Sequence, residues 1–356
     1  GMLATDHLIG FLQLRDRPAE LAARFLRIVL LAAPFLMVEE VAVACLRGAG
    51  DTVAGLVTMV IVNIVNVSVA WSLIAGGLRL PFEIAGWDAL ALGTALANVV
   101  GGTIMFGLLL AGRAGLRLRL ARLKPDLSLA RRLLRIGLPG GGDQLAIVSC
   151  HLWYVSIINE LGTTATAAHG IGVRIESLAY LPGFAFQIAA ATLVGQFLGA
   201  NDQRRAARAV LVTLLSGGSV MLAAGALLAL APGPLVRIIV SADQRELIEL
   251  TAGLLPIVGA AMPALAVVSI VGGALRGAGD TRWPLVITLF GLILVRIPLA
   301  QLLAYDYVHL PLLDVDIRGW NLGVAGAWYA MTADASVRCI LVLYRFFHGG
   351  WKRVQV

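Results

Sequence analysis

The sequence predicts an all-α integral membrane protein made of two pseudo-symmetric six-helix bundles, related as a parallel repeat, of which the first is incomplete. Three observations lead to this fold class: an apolar composition, a series of apolar runs long enough to cross a bilayer, and an internal repeat. Of the 356 residues, 59% are hydrophobic and 14% are charged, whereas soluble globular chains have about 45–50% apolar and about 25% charged residues. Most of the surface of such a chain is therefore expected to face lipid.

Nine apolar runs have the length of a transmembrane helix, which needs about 20 residues. They lie near residues 22–46, 53–76, 88–111, 136–160, 167–198, 209–231, 250–275, 284–304 and 321–345. Residues 3–14 are expected to be the end of an earlier helix. Each run predicts one span, and the charged residues collect in the loops between the spans.

The strongest feature of the sequence is an internal repeat. The heptapeptide Leu46–Thr52, Leu-Arg-Gly-Ala-Gly-Asp-Thr, recurs unchanged as Leu275–Thr281, 229 residues later. Seven consecutive identities at one offset indicate a duplicated unit. The second copy begins in the basic linker near Arg131, so the offset predicts that roughly a hundred residues, about three helices, precede this chain. An even number of spans per copy makes the two copies parallel.

The repeat divides the chain into three predicted parts. Residues 1–111 are the remnant of an N-terminal lobe, from the end of its third helix to its sixth; residues 112–135 are a basic linker; and residues 136–356 are a C-terminal six-helix lobe. Of the 28 arginines and lysines, 17 lie on the side of the linker and the C-terminus, and eight on the opposite side. Because cytoplasmic loops are enriched in these residues, we expect the linker and the C-terminus to be cytoplasmic, at the plasma (inner) membrane.

Several function classes are excluded by the residue pattern. The net charge of +7 is spread over loops and forms no basic face of a soluble domain, so we expect no nucleic-acid partner. Cys45, Cys150 and Cys339 all lie in apolar runs, without the spacing of a disulfide framework or a metal site. No constellation of His, Ser or metal ligands points to catalysis within the spans, so the protein is not expected to be an enzyme.

The two glycine-rich heptapeptides are not phosphate-binding loops. They lack the Gly-Lys-Ser/Thr ending of that motif, and no predicted strand precedes them. Glycine permits the backbone of a tight turn, and Arg47 and Arg276 would stand at the cytoplasmic boundary. Each heptapeptide is therefore predicted to be a turn between two helices.

A known family is recognisable in these motifs. Both heptapeptides follow a long apolar helix, and a second stretch carries the motifs Ala167–Ile171, Arg174–Leu178, Pro182–Phe184, Leu193–Gln196 and Leu198–Ala200. Together they resemble the multidrug and toxic compound extrusion (MATE) family. The resemblance implies twelve helices in two lobes, and export of small organic, often cationic, compounds driven by entry of H⁺ or Na⁺. We expect a monomer in membrane lipid, with a small-molecule substrate and no cofactor beyond the coupling ion.

Carboxylates within the spans are the sharpest functional signal. A charge at mid-bilayer costs about 2.5–3.5 kcal/mol on insertion scales, so each needs a reason to be there. Protonation removes the charge, which suits such a group to ion coupling. The candidates are Asp143, Glu39, Glu40 and Glu176. Asp334 and Arg338 are four residues apart on one helix face and are predicted to be a structural pair.

Three residues are candidates for lining a substrate cavity: Asn66, Asn98 and Trp153. Asn66 matches an asparagine of the cation site of archaeal MATE members, and Asn98 stands where those members have a threonine. The aspartate of that site is replaced by Ala70, which disfavours sodium there and favours protons. Trp153 could stack on an aromatic cation.

The sequence therefore predicts a secondary transporter that exports small organic, cationic compounds by alternating access, in antiport with H⁺ or Na⁺. The alternative within transport is a flippase for lipid-linked precursors of the same broad fold. A flippase would need a cationic cavity to hold a pyrophosphate, and the few arginines within the spans disfavour it. A receptor or scaffold that transports nothing is disfavoured by the parallel repeat and the intramembrane acids.

Overall fold

The computed structural model describes residues 16–75, 86–119, 126–310 and 315–353. These residues form two compact units, and the chain passes from the first to the second between the described segments 86–119 and 126–310. The helix end predicted at residues 3–14 lies outside the described residues.

The described residues of the first unit form three long helices. They are α1 (Asp16–Gly48), α2 (Thr52–Ile74) and α3 (Gly86–Ala111), followed by a short 3₁₀ turn, Arg113–Gly115. Gly102 lets α3 pack closely on α1, because a Cβ at this position would lie 2.5 Å from the carbonyl oxygen of Phe35. Buried Leu46 and Met105 lie in the core of this unit.

The described residues of the second unit form nine helical segments and one β-hairpin, followed by a short 3₁₀ turn. Its elements are α4 (Leu127–Glu160), α5 (Thr163–Gly199), α6 (Gln203–Leu230), α7 (Pro232–Arg237), α8 (Arg245–Gly277), α9 (Arg282–Leu289), a π-helix (Phe290–Arg296), α10 (Ile297–Ala304), β1 (Tyr307–Leu310), β2 (Val315–Arg318) and α11 (Gly323–His348). A 3₁₀ turn, Gly350–Arg353, follows α11. Helix α8 is the central element, with a core of buried aliphatic side chains against α5, α6 and α11.

Every predicted span coincides with a long helix or, for 284–304, with the continuous run α9, π-helix and α10. Seven of the helical runs in the described residues are long and apolar enough to cross a membrane. Helices α4 and α11 fall outside this set; α4 begins with a basic segment, and α11 carries Asp334 and Arg338. The described residues are thus overwhelmingly helical, as the all-α fold class predicts.

Two local features differ from the expectation. Helix α4 begins at Leu127, inside the segment predicted as linker, because Asp126 caps it by accepting hydrogen bonds from the N–H groups of Ser128 and Leu129. The apolar run begins later than the helix, since the first turns of α4 are basic. A short antiparallel hairpin, β1 with β2, was also not predicted; it pairs Tyr307 with Arg318.

The two repeated heptapeptides form the predicted turns with one geometry. In the first copy, Asp51 N–H donates to the Leu46 carbonyl at 2.9 Å, and Gly50 has a φ of 94°. In the second, Asp280 N–H donates to the Leu275 carbonyl, also at 2.9 Å, and Gly279 has a φ of 81°. This helix ending requires a left-handed residue, which glycine adopts without strain.

Candidate functional site

A cavity of about 350 Å³ lies among the helices of the second unit. Its walls come from α4, α5, α8, α9, the π-helix and α11. The polar and charged residues that line it are Gln144, His151, Tyr154, His169, Glu176, Ser177, Tyr180, Gln187, Ser269, Arg276, Thr288, Arg296 and Arg338. Pockets for small molecules commonly have about 300–1,000 Å³ and a few polar groups in an apolar wall. This cavity has that size, and four of its lining residues are arginine or glutamate.

Two arginines of the cavity share one carboxylate. Arg338 donates from Nε to Asp334 Oδ1 at 2.8 Å and from Nη2 to Oδ2 at 2.7 Å. Arg296 donates from Nε to the same Oδ2 at 3.0 Å, and its Nη2 lies 2.7 Å from it. The Asp334 side chain is fully buried. The predicted pair of Asp334 and Arg338 is therefore present, but it is part of a triad with two cations and one anion.

The π-helix and a glycine create the room for this triad. Arg296 is the last residue of the π-helix Phe290–Arg296, and such segments are frequent at functional sites. Gly291, in the same segment, faces the triad: a Cβ there would clash with Asp334 Oδ1 and come within 2.5 Å of Arg338 Cγ. The sequence carried one signal for this site, an arginine inside the apolar run 284–304.

Asp143 forms a second ion pair beside the cavity. Arg276 of the repeated heptapeptide donates from Nη2 to Asp143 Oδ2 at 2.6 Å. Asp143 is 1% exposed and its Oδ1 has no hydrogen-bond partner among the described residues. Arg276 lines the cavity, whereas Asp143 does not. One predicted coupling residue is thus held in an ion pair behind the cavity wall.

Three buried rings pack together beside the cavity, and two of them, those of Tyr154 and His169, line it. Trp328 donates from Nε1 to His169 Nδ1 at 3.2 Å, so a neutral His169 carries its proton on Nε2. The His169 ring makes edge contacts with Trp328 and with Tyr154. Arg296 lies over the ring of Tyr154, 5.7 Å from its centre. Tyr154 is 1% exposed, and its hydroxyl has no partner among the described residues.

Glu176 lines the cavity directly. It is half-buried on α5, and no described residue forms a hydrogen bond or an ion pair with its carboxylate. Of the predicted coupling residues, Glu176 alone combines an unpaired carboxylate with a place in the wall of this cavity.

The remaining candidates have different surroundings. Glu39 is 5% exposed and packs against Gly101 of α3, where an added Cβ would clash with its carboxylate. Glu40, the next residue on α1, is exposed. Asn66 donates from Nδ2 to Thr94 Oγ1 at 3.2 Å, and Asn98 is partly buried on α3. All four lie in the first unit.

Trp153 does not line the cavity of the second unit, and its side chain is 51% exposed. Its neighbour Tyr154 lines the cavity instead. Successive residues of a helix point about 100° apart, so the two aromatic rings face different surroundings. The sequence predicted Trp153 as a cavity residue because its ring could stack on an aromatic cation, and Tyr154 was not among the predicted residues.

Comparisons with known proteins agree with each other. The MatE family profile matches residues 1–72 and 139–302. A probable multidrug resistance protein NorM of Thermotoga maritima is 29% identical over 335 residues, which are 94% of this chain and 68% of that protein. A probable multidrug resistance protein YoeA of Bacillus subtilis is 23% identical over 363 residues, covering all of this chain and 74% of that protein.

Solved structures share the fold. The outward-facing conformation of a MATE family multidrug resistance transporter superposes with a TM-score of 0.85 at 19% identity, over 99% of this chain and 75% of that one. A transporter of the MOP superfamily from Pyrococcus furiosus, whose binding pocket is described as having reversed polarity, superposes with a TM-score of 0.85 at 21% identity, over the same shares of the two chains.

Proposed function

Because this chain belongs to the MatE family of membrane transporters, we propose that it is a secondary active efflux protein that exports small organic compounds by alternating access, in exchange for protons. Its relatives are named as probable multidrug resistance proteins. The coupling ion and the residues that carry it are inferred from the chain itself.

The observation that carries the proposal is Glu176. Its carboxylate lines the cavity of the second unit, inside helices that cross the membrane, and it has no ion-pair partner among the described residues. An unpaired charge inside a membrane protein is costly, and such residues generally mark an ion or substrate pathway. Protonation removes the charge, so the protonated and charged forms of Glu176 favour different surroundings. A group of this kind couples two fluxes when each form favours a different conformation.

The contacts of the other candidate coupling residues make them weaker candidates than Glu176. Glu39 is a second buried carboxylate, and we propose that it serves the first unit in the same way. Asp143 has its charge compensated by Arg276 at 2.6 Å, so it is not an unpaired charge within the membrane. Glu40 is exposed on α1 and is not enclosed by other side chains of the protein. Protons are favoured over sodium because buried Ala70 replaces the acid of the archaeal site.

The cavity size separates the two candidate functions. A flippase for lipid-linked precursors requires basic residues for a pyrophosphate, and the three arginines of the cavity fit that requirement. A volume of about 350 Å³, however, is at the lower end of the range for drug-sized ligands. It leaves little room for a pyrophosphate that carries both a sugar and a lipid. We therefore keep efflux of small compounds as the proposal.

Transport by the chain in lipid vesicles tests the proposal. Vesicles with the purified protein are loaded with one cationic, one neutral and one anionic fluorescent compound in turn, and either a pH gradient or a sodium gradient is imposed. We expect movement of at least one compound in the pH gradient, against protein-free vesicles as the control. Movement that follows sodium and ignores pH would contradict proton coupling, and no movement in either gradient would contradict the efflux function.

We also propose that the basic linker and the C-terminus face the cytoplasm of the plasma (inner) membrane. The exposed residue Arg119 provides a test. In a background with the three native cysteines replaced, a cysteine at Arg119 should resist membrane-impermeant thiol reagents in intact cells and react after lysis. Rapid labelling of intact cells would invert the orientation.

A further inference from the structure

The charges that face the cavity of the second unit are mainly positive. Arg276, Arg296 and Arg338 all line it, while their carboxylate partners, Asp143 and Asp334, do not. The guanidinium groups thus stand between the cavity and the acids. Glu176 is the one carboxylate among the described lining residues.

The triad around Asp334 carries an excess positive charge. One fully buried carboxylate accepts hydrogen bonds from two guanidinium groups, whose side chains are 12% and 11% exposed. Each guanidinium has five N–H donors, and Asp334 engages only Nε and Nη2 of each. Nη1 of both arginines therefore keeps its donors for another acceptor. An uncompensated charge in a poorly hydrated place is unfavourable, so an added anion would be stabilised here.

An independent observation comes from Tyr154. Its hydroxyl is buried and without a partner among the described residues, and its ring lies under the guanidinium of Arg296 at 5.7 Å. A buried hydroxyl left without a hydrogen bond is costly, so its presence in a cavity wall indicates a ligand or water acceptor. An anion on Arg296 would lie next to the ring of Tyr154. On a different wall, Tyr180 and Phe184 form an edge-to-face pair at 5.1 Å, which suits an aromatic body.

We propose that this cavity binds small aromatic anions, with a carboxylate or similar group on Arg296 and Arg338 and the ring against Tyr180 and Phe184. The inference deepens the proposed efflux function, on which it rests for its physiological meaning, by naming the substrate class of the second unit. It departs from the cationic substrate that the family resemblance implies. Glu176 opposes the anion when it is charged and tolerates it when it is protonated.

Binding to the full chain in nanodiscs of zwitterionic lipid tests the proposal by isothermal titration calorimetry. The probes are three compounds of nearly one shape: 2-naphthoate, neutral 2-naphthamide and 2-naphthylmethylammonium. We expect 2-naphthoate to bind at least tenfold more tightly than the amide, and the cation to bind most weakly. Equal affinities, or tightest binding of the cation, would overturn the proposal.

Variants locate the site. Arg296→Gln should weaken 2-naphthoate binding at least tenfold and leave 2-naphthamide binding within about twofold, because one charge-assisted contact is lost while the cavity keeps its shape. Arg174→Gln is the matched control, since Arg174 is exposed on α5 and does not line the cavity. Glu176→Gln should strengthen 2-naphthoate binding severalfold. If Arg296→Gln binds 2-naphthoate as the control does, the site is elsewhere and the proposal fails.

Two further measurements distinguish a misfolded variant and a bound lipid headgroup from a soluble aromatic anion. If Arg296→Gln does not fold, the three-probe series on the unaltered chain still decides the question. Replacing the nanodisc lipid by an anionic lipid should leave the affinity for 2-naphthoate unchanged; a tenfold loss would assign the arginines to a lipid headgroup and overturn the choice of a soluble ligand. Binding without transport in vesicles would contradict the efflux function alone, and transport without anion binding would contradict this inference alone.

Discussion

In both copies of the repeated heptapeptide, a helix ends with the same hydrogen bonds, and the aspartate then pairs with an arginine near the end of a later helix. Asp51 pairs with Arg113 in the first unit, and Asp280 pairs with Arg345 in the second. The surroundings differ. The first pair is accessible, with the Arg113 side chain 45% exposed, whereas the Arg345 side chain is 14% exposed. The same turn and ion pair thus occur in an accessible environment in the first unit and in a buried one in the second.

The two copies differ in the contacts of the heptapeptide arginine and in the residues that precede the heptapeptide. Arg276 reaches Asp143 and lines a cavity, while its counterpart Arg47 has no partner among the described residues. At the repeat offset, Glu39 and Glu40 correspond to Val268 and Ser269, which both line the cavity of the second unit. The duplication preserved the turn and its ion pair, and the two units diverged in the charges beside them.

The largest difference between the copies is expected for the aspartates. Asp280→Asn breaks a buried ion pair, which costs about 3–5 kcal/mol of stability, toward the lower end because Asn keeps an acceptor oxygen. Asp51→Asn breaks an accessible pair, which contributes much less to stability than a buried one, and Asn can still cap α2. Thermal unfolding in detergent should show a much lower midpoint for Asp280→Asn. Equal midpoints would mean that burial does not distinguish the two pairs.

The glycine at the third position of the heptapeptide should also separate the copies. A Cβ at Gly277 would clash with the backbone of Ala191, whereas a Cβ at Gly48 would have nothing within 4 Å. Gly277→Ala should therefore cost about 1–3 kcal/mol or more, while Gly48→Ala should be neutral or stabilise by up to about 1 kcal/mol. Unfolding midpoints of the two variants test this. A destabilised Gly48→Ala would contradict the open packing in the first unit.

The glycine at the fifth position should make the copies alike. Gly50 and Gly279 both have left-handed backbone angles, so alanine costs roughly 1–2 kcal/mol in each. Asparagine should cost less, since Asn201 adopts a φ of 58° in the corresponding turn after α5. Comparing four variants, alanine and asparagine at each position, gives the measurement. Unequal costs of alanine would show that the two turns are not energetically equivalent.

The smallest effect concerns acid. The hydrogen bond from Arg113 and that from the Ala54 backbone hold the pKa of Asp51 below its ordinary value. A lowered pKa in the folded state gives stability above the ordinary carboxylate pKa and removes it as the pH falls through the folded value. The unfolding midpoint of the native chain should therefore fall slightly more below about pH 4 than that of Asp51→Asn. If the unfolding midpoints of the native chain and of Asp51→Asn change equally with pH, the pair of Asp51 with Arg113 does not contribute to the acid sensitivity.

The helices and the turns were predictable because they depend on local pattern. Apolar length identified every long helix, and the repeated glycines identified both turns; the family drawn from these motifs is confirmed. The predicted span begins at residue 136, whereas α4 begins at Leu127. The first turns of α4 are basic, so they are not part of the apolar run. The domain division and the orientation of the C-terminus stay predictions.

The site was predictable only in part. Glu176 and Asp143 stood out because a carboxylate inside an apolar run needs a reason. The hydrogen bond from Arg296 to Asp334 joins residues that are far apart in sequence. It also depends on a π-helix, which the residue pattern did not predict. The small number of arginines within the spans disfavoured a flippase in the sequence analysis, but three arginines converge on the cavity of the second unit, so their number alone does not decide its charge. Trp153 was predicted because its ring could stack on an aromatic cation, and that ability does not show which face of the helix borders the cavity.

The central claim, that Glu176 couples proton entry to export, is tested most directly by Glu176→Gln in the vesicle assay. Gln keeps the size and hydrogen bonding of the side chain but cannot be charged. Glu249→Gln, on an exposed helical position, is the matched control. We expect transport driven by the pH gradient to fall at least tenfold in Glu176→Gln and to be unchanged in Glu249→Gln, with both variants inserted in the membrane. Transport by Glu176→Gln at the native rate and with the native pH dependence would contradict the account.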